Sequence, residues 1–138
     1  MRLEVRELAF GRGVFAAEDL PVGLILTRYT GPAVPWSEVP EAEVAHVIKQ
    51  GQRWVIPGAP ARLINHGCAP NCDVDDTLGV LALRPIRAGE ELTIDYHTAS
   101  AADVAADPAA YFWDPRWTFA CQCGAADCRR RIDGWRVV

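Results

Sequence analysis

Amide, imidazole, thiol and phenol side chains are concentrated in three short segments of this chain. Residues 62–72, RLINHGCAPNC, place Asn65, His66 and two cysteines in one loop. Residues 89–96, GEELTIDY, end in a tyrosine, and residues 121–128, CQCGAADC, carry three more cysteines. Amide and imidazole groups can bind a polar ligand. Cysteines this closely spaced favour a metal site over a disulfide framework in a chain without an export signal, and zinc is the natural metal.

Two further motifs precede these segments, GRGVFA at 11–16 and YTG at 29–31. A lone G-x-G would be a weak signal. The ordered series R-x-x-N-H-x-C-x-P-N, G-E-E-L-T-x-D-Y and C-x-C-G-x-x-x-C-R is highly specific, and the whole pattern resembles the SET-domain protein lysine methyltransferases with a post-SET zinc motif. The resemblance implies an enzyme that transfers a methyl group from S-adenosylmethionine to the ε-amine of a lysine in a protein or peptide.

The resemblance also implies where S-adenosylmethionine binds. The glycine-rich loop would receive its methionine part, and the Asn-His pair would contact its adenine and amino-acid ends. Taken alone, the residue types of the loop favour a simple turn, and the histidine could be a buried structural residue. The residues expected to contact the cofactor are Gly11, Arg12, Gly13, Asn65, His66, Tyr96 and Phe119.

Tyr96 is the residue expected to carry catalysis, because its hydroxyl can orient a lysine amine towards the methyl group. The alternative is a core aromatic residue that ends a strand. The resemblance implies that Tyr29, in the Y-x-G motif, is a second catalytic residue that gives the lysine channel a second wall or a hydrogen bond. Ile94 stands where the family commonly has an aromatic residue, so we predict room for dimethyl or trimethyl products. His97 is treated as a bystander.

Cys121, Cys123 and Cys128 provide only three thiolates, whereas a closed structural zinc site needs four ligands. The resemblance implies that Cys68 is the fourth, and Cys72 stays open as the alternative. A tail held in this way would fold over the active site, so removal of zinc is expected to abolish activity. Phe119 would then cover the cofactor or target side chain, or belong to the small core of the zinc knot. Five cysteines without metal are the other alternative.

Branched apolar residues predict strands at 5–16 and 22–29, and again at 78–83 and 91–96. Proline, early acidic residues and a following glycine predict one sizeable helix at 40–50. A shorter helix is predicted from Asp107, as a cap, towards residue 112. Residues 99–106 are either a linker or a frayed helix.

The resemblance implies a mainly β (α+β) chain with the SET fold, in which several small twisted sheets surround a pseudoknot formed by 62–72 and 89–97. The expected SET domain covers 1–118, with a short helical insert at about 35–60. The post-SET zinc-binding tail covers 119–138, and the two parts form effectively one folded unit.

Charge is unevenly distributed along the 138 residues. The tail from 116 onwards carries a net charge of +3 and the rest −7, and Lys49 is the only lysine against thirteen arginines. The acidic body favours a basic partner and argues against direct nucleic-acid binding. The resemblance implies that this partner contains a lysine, with histone and histone-like tails among the candidates. No segment is apolar and long enough for a membrane or a signal peptide, so an intracellular, soluble protein is expected.

Two other functions fit part of the sequence. A catalytically silent SET-like module could bind a lysine-containing tail or another protein partner. A small zinc-dependent nucleic-acid binder is suggested only by the three arginines at 129–131, and the acidic body counts against it. The oligomeric state is open, with a dimer as one alternative.

Overall fold

The computed structural model describes residues 2–138, which form small β-sheets and a few helical turns. The strands are β1 Leu3–Leu8, β2 Gly11–Ala16, β3 Ile25–Arg28, β4 Ala33–Val34, β5 Ile48–Gln50, β6 Arg53–Val55, β7 Asn65–His66, β8 Cys72–Val74, β9 Gly79–Ala82, β10 Thr93–Ile94, β11 Thr98–Ala99, β12 Phe119–Ala120, β13 Arg131–Ile132 and β14 Arg136–Val137. One α-helix, α1, covers Ala101–Ala106 in this part of the chain. Short 3-10 helices cover Trp36–Glu38, Glu41–Glu43, Ala61–Leu63, Pro108–Tyr111 and Pro115–Trp117.

The sheets are all small, with two or three strands each. Antiparallel pairing joins β1 to β2 and β12 to β13, and builds the three-stranded sheets β3-β9-β8 and β4-β6-β5. Two pairs are parallel, β7 with β10 and β11 with β14. Parallel strands need a long connection between them, so these two pairs bring distant parts of the chain together.

The main core lies between β2, β8 and β9 and the loops that cross them. Its side chains are mostly β-branched or leucine, which pack well on pleated strands. The bridges Phe15–Glu91 and Leu20–Ile86 join β2 and the following turn to the segment before β10. The residues in this core that are at most 2% exposed are Val14, Ala16, Leu20, Ala61, Ile64, Cys72, Val80, Ala82, Ile86 and Leu92.

A second core is aromatic and joins the 35–60 insert to the 98–118 connection. The rings of Trp54 and Trp117 lie 5.4 Å apart, and those of Trp36 and Phe112 lie 4.9 Å apart. The indole N–H of Trp117 also donates to the Val44 carbonyl at 2.7 Å. Offset and edge-to-face aromatic pairs add to the free energy of burial, so the long connection is packed against the insert.

The predicted strand at 5–16 is a hairpin, because the chain reverses between β1 and β2. Gly11 follows the turn with φ +98, a backbone conformation that favours glycine. The strands predicted at 22–29 and 78–83 are present in shortened form as β3 and β9. Only residues 93 and 94 of the predicted 91–96 strand are paired in a sheet.

The predicted helix at 40–50 is wrong. Glu41–Glu43 form one 3-10 turn, and Ile48–Gln50 form strand β5. Tertiary packing overrides the local pattern here, because β5 pairs with β6 while Val44 and Val47 enter the aromatic core.

The α-helix instead occupies most of the segment left open as linker or frayed helix. The Ser100 hydroxyl caps it by accepting from the Asp103 N–H at 3.1 Å. Asp107 does not cap the next turn through its side chain, contrary to expectation. Its carboxylate accepts instead from the Gln52 amide at 3.1 Å.

None of the helices in residues 2–138 is long and apolar enough to cross a membrane.

Gly31 lies where two backbone segments touch, and this contact gives a testable expectation. A Cβ at this position would lie 1.8 Å from the Ile56 carbonyl oxygen. Gly31→Ala should therefore force the backbone apart and lower the free energy of unfolding by about 3 kcal/mol, measured by urea denaturation. Gly58→Ala is the matched control, because its nearest contact would be at 4.0 Å. Equal stability of the two variants would contradict this packing.

Candidate active site and metal centre

The site is built on the parallel pairing of β7 and β10. Asn65 lies opposite Thr93 and His66 opposite Ile94, and the Gly67 N–H extends the ladder by donating to the Ile94 carbonyl at 2.9 Å. The two segments that were expected to thread past one another therefore run side by side.

The buried side chain of Asn71 reinforces this junction. Its amide donates to the Glu91 carbonyl at 2.8 Å, and its oxygen accepts from the Thr93 N–H at 2.9 Å. These two bonds replace ladder bonds that strands of two residues cannot supply. Asn71 thus fixes the segment leading to Tyr96.

Tyr96 follows β10, and its ring is largely buried. Its hydroxyl donates to the Ile64 carbonyl, and its backbone N–H donates to His66 Nδ1 at 3.0 Å. Burial raises the pKa of Tyr96 and that of Tyr29, which is 7% exposed, well above the ordinary tyrosine range. Both hydroxyls therefore stay protonated near neutral pH and can act as hydrogen-bond donors.

Two clefts meet at Tyr96. The first, here called the hairpin cleft, has a volume of about 1090 Å³ and is lined by Leu8, Ala9, Phe10, Asn65, His66, Gly67, Glu91, Thr93, Tyr96, Phe119 and Gln122, among others. The second, here called the acidic groove, has a volume of about 1000 Å³, and its wall includes Tyr29, Lys49, Ile64, Asp73, Asp75, Asp76, Ile94, Asp95, Tyr96, Asp103, Asp107 and Tyr111. Tyr96 lies in the wall of both clefts. A ligand bound in one cleft can therefore approach a ligand bound in the other beside the Tyr96 ring.

The hairpin cleft brings together four of the residues expected to contact the cofactor: Asn65, His66, Tyr96 and Phe119. The His66 ring lies edge-on to Tyr96 and Phe119, with centroids 5.3 and 5.4 Å away.

The glycine-rich loop lies beside this wall. Gly11, Arg12 and Gly13 are not among the residues that line the cleft. The loop is nevertheless tied to it, because the Asn65 amide donates to the Arg12 carbonyl at 2.9 Å.

Glu91 is a cleft residue that the sequence reasoning did not single out. Its carboxylate accepts from the Asn65 amide at 2.8 Å, and a Cβ on Gly13 would lie 2.6 Å from it. The signal was present, since Glu91 lies in the GEELTIDY motif. A carboxylate, an amide and an aromatic ring in one cleft suit a ligand that carries positive charge and a planar base.

The sulfur atoms of Cys68, Cys121, Cys123 and Cys128 all lie within 4.8 Å of one another. The Cys68 and Cys121 sulfurs are 3.7 Å apart. A tetrahedral zinc ion with Zn–S bonds of about 2.3 Å places its sulfurs about 3.8 Å apart. The four thiols therefore fit a structural zinc site.

Cys72 lies away from these four sulfurs. It is 1% exposed in the main core, and burial raises the pKa of its thiol to about 11. The structure thus groups Cys68, and not Cys72, with the three tail cysteines. Phe119 and Ile132 pack against this group, so Phe119 belongs to the small core of the knot as well as to the wall of the hairpin cleft.

Asp95 links the tail to the segment that carries Tyr96 and was also missed. Its carboxylate, 8% exposed, accepts from Arg129 at 2.5 Å and from Arg136 at 2.8 Å. β14 pairs with β11 beyond this point. Ion pairs and a strand therefore hold the tail in addition to its cysteines. The sequence signal for the Asp95–Arg129 pair was its presence in the D-Y and C-R elements of the quoted motifs.

Serine substitution should separate the two candidate zinc ligands. Cys68→Ser should lose most bound zinc because a three-thiolate site is incomplete. Cys72→Ser should keep one zinc per chain although its core is less stable. Zinc released by acid and counted with a chromogenic chelator measures this. Full zinc content in Cys68→Ser would contradict the assignment.

His97 lies in a box formed by Trp113, Trp117 and Trp135, with ring centroids 4.6 to 5.1 Å away. Burial lowers its pKa from 6.5 to about 4, with His66 adding to the decrease and Asp95 opposing it. Between pH 6.5 and about pH 4, His97 is therefore less protonated in the folded chain than in the unfolded chain. His97 should contribute up to about 3 kcal/mol of stability above pH 6.5 that is lost as the pH falls to 4.

His97→Asn tests this expectation, because asparagine does not titrate and tolerates the φ of +56 at this position. The melting temperature of the variant should fall less steeply than that of the unmodified chain between pH 6.5 and 4. Parallel pH profiles would show that His97 is not the titrating group.

Comparison with known proteins gives one consistent family. The family model described as the SET domain matches residues 11–97. Human histone-lysine N-methyltransferase 2D is 30% identical over 145 residues, which cover 87% of this chain and 2% of that protein. The H3 lysine-4 specific histone-lysine N-methyltransferase of Mycosarcoma maydis is 30% identical over 156 residues, covering 94% of this chain and 10% of that protein. The chain thus spans a small part of these relatives.

A solved structure shows the same architecture. A Plasmodium falciparum protein that is provisionally named a histone methyltransferase superimposes with a TM-score of 0.57 at 21% identity, covering 69% of this chain and 92% of that one. The small sheets and the single short α-helix of residues 2–138 agree with that fold. The chain belongs to the SET-domain family.

Proposed function

We propose that this chain is an S-adenosylmethionine-dependent protein lysine N-methyltransferase. The observation that carries the proposal is the position of Tyr96, which lines the hairpin cleft and the acidic groove at once. Transfer of a group between two bound molecules needs two sites that meet at one point. The names of the relatives agree with this activity.

In this proposal the hairpin cleft binds S-adenosylmethionine, which supplies an electrophilic methyl group on a sulfonium. Asn65 and Glu91 offer an amide and a carboxylate to its polar and positively charged parts. Phe119 offers its ring to the adenine, and the buried His66 ring packs edge-on against Phe119. Gly11, Arg12 and Gly13 would complete the site from the hairpin side.

The lysine channel is formed by Tyr29, Ile94 and Tyr96 on the groove side. Tyr29 and Ile94 are less than 10% exposed, so an amine entering the channel leaves water. Removal from water disfavours the ammonium form and lowers the amine pKa, which frees the lone pair that attacks the methyl group. Tyr96 stays protonated, and together with the Ile64 carbonyl it presents polar atoms that orient the amine.

The proposed substrate is a basic protein or peptide that contains a lysine. Six aspartates and three cationic side chains line the acidic groove, so basic residues beside the target lysine meet favourable charge. Histone tails, histone-like proteins and other basic tails fit this chemistry. We also propose that the enzyme is intracellular, as expected for one that acts on histone or histone-like substrates.

Two alternatives are less well supported. A silent binding module would not need a tyrosine hydroxyl at the junction of two clefts. A nucleic-acid binder would need a basic surface, but Arg129 and Arg136 bind Asp95, and the exposed Arg130 and Arg131 belong to a chain whose net charge is −4.

Removal of one hydroxyl tests the proposal. Tyr96→Phe should reduce methyl transfer to basic proteins about 10²-fold, because the amine is no longer oriented, while binding of S-adenosylmethionine persists. Radiolabelled methyl incorporation and calorimetric binding measure the two effects. Tyr111→Phe removes a hydroxyl from the groove wall but not from the channel, so it is the control for loss of a tyrosine hydroxyl that does not orient the amine. A folded, zinc-loaded chain that binds no cofactor would make the silent module the better description.

Ile94 sets the expected degree of methylation. Its aliphatic side chain lies in the groove wall, 6% exposed, and leaves room for a methylated amine to turn. The unmodified chain should give dimethyllysine or trimethyllysine, and Ile94→Tyr should shift the product towards monomethyllysine. Mass spectrometry of the modified peptide distinguishes them, with Ile94→Val as a control that keeps an aliphatic wall. Strict monomethylation by the unmodified chain would refute the expectation.

A further inference from the structure

The hydrogen bonds of His66 define which of its ring nitrogens carries the proton. Its side chain is 2% exposed, and its Nδ1 faces the Tyr96 backbone N–H at 3.0 Å. A backbone N–H can only donate, so Nδ1 must accept with its lone pair. The hydrogen of the neutral ring therefore lies on Nε2.

Nε2 points at a cysteine of the metal cluster. It lies 3.4 Å from Cys68 Sγ, a normal separation for a hydrogen bond to sulfur. The same sulfur accepts from the Arg129 backbone N–H at 3.4 Å. The Arg129 guanidinium also approaches Nε2, at 3.5 Å, but it has no acceptor atom, and it is already bonded to Asp95 at 2.5 Å. The Nε2 hydrogen therefore goes to the Cys68 sulfur.

We propose that His66 is a positioning residue that couples the zinc-bound thiolate of Cys68 to the backbone of Tyr96. The same imidazole makes both hydrogen bonds, because Nε2–H donates to the Cys68 sulfur and Nδ1 accepts from the Tyr96 backbone N–H. The role in methyl transfer rests on the proposed function, whereas the bond to the metal site does not.

Zinc binding is expected to strengthen the hydrogen bond from His66 to Cys68. A thiolate bound to zinc is a stronger hydrogen-bond acceptor than a neutral thiol, because bonds to charged groups are shorter and stronger. Zinc binding therefore holds the imidazole in the orientation that receives the Tyr96 N–H. Partners of this kind commonly change metal affinity 10- to 100-fold when they are removed.

Two substitutions of His66 each remove one of the two hydrogen bonds of its ring and keep the other. Asparagine can place an amide oxygen near the position of Nδ1 and accept from Tyr96, but it is too short to reach the sulfur. Glutamine can place an amide N–H near the position of Nε2 and donate to Cys68, but it leaves the Tyr96 N–H without its acceptor. The pair keeps size and polarity similar while it removes opposite bonds.

The experiment measures zinc affinity by competition with a chromogenic chelator. His66→Asn should bind zinc about 10- to 100-fold more weakly, and its methyl-transfer rate should need more free zinc to reach half-maximum. His66→Gln should bind zinc within about threefold of the unmodified chain, while its kcat falls more than its KM changes. His46→Gln, at an exposed histidine in the insert, controls for loss of an imidazole and should leave zinc affinity unchanged.

A measurement on the unmodified protein avoids any folding defect in the variants. Nitrogen-15 NMR of the zinc-loaded chain should show the His66 ring protonated on Nε2 only. Protonation on Nδ1, or equal zinc affinity in His66→Asn and His66→Gln, would overturn the proposal. If the unmodified chain transferred no methyl group, the zinc and NMR results would still decide the coupling.

Discussion

The pairing of β7 with β10 is the interaction on which the site depends. It joins two strands of two residues each, so their ladder provides few hydrogen bonds of its own. The Asn71 side chain adds two bonds to the partner segment, and Gly67 adds one through its backbone. This junction holds Asn65, His66 and Tyr96 in one place, and it creates the point where the two clefts meet. Preorganised geometry of this kind is what transfer chemistry requires.

The tail is attached by two different kinds of interaction, one to the loop that follows β7 and one to the segment that carries Tyr96. Four thiols bring the tail to the loop that follows β7. Arg129 and Arg136 bring it to Asp95, the residue before Tyr96. The positive tail and negative body thus neutralise each other at a buried carboxylate. Loss of either arginine would leave this carboxylate, 8% exposed, with less compensation for its burial, so docking depends on the match between tail and body charges.

Residue types and spacing predicted the composition of the site better than the secondary structure. The close spacing of the C-x-C-G motif indicated three tail thiols, whereas Cys68 followed from the family resemblance with Cys72 left open. The structure brings Cys68 together with the three tail thiols. The sequence alone could not exclude a helix at 40–50, because the conformation of this segment depends on pairing with β6 and on an aromatic core assembled from distant residues. Asp95 and Glu91 lay within a quoted motif, but their partners come from the tail and from β7, and spacing does not reveal them.

In the proposed mechanism, cofactor and lysine occupy different clefts that meet at Tyr96. The most direct test is calorimetric binding of S-adenosylhomocysteine to the zinc-loaded chain, with and without a saturating lysine peptide that the transfer assay identifies as substrate. The structure predicts that both ligands bind together, with S-adenosylhomocysteine affinity unchanged or higher when the peptide is present. Mutual exclusion of the two ligands would contradict it.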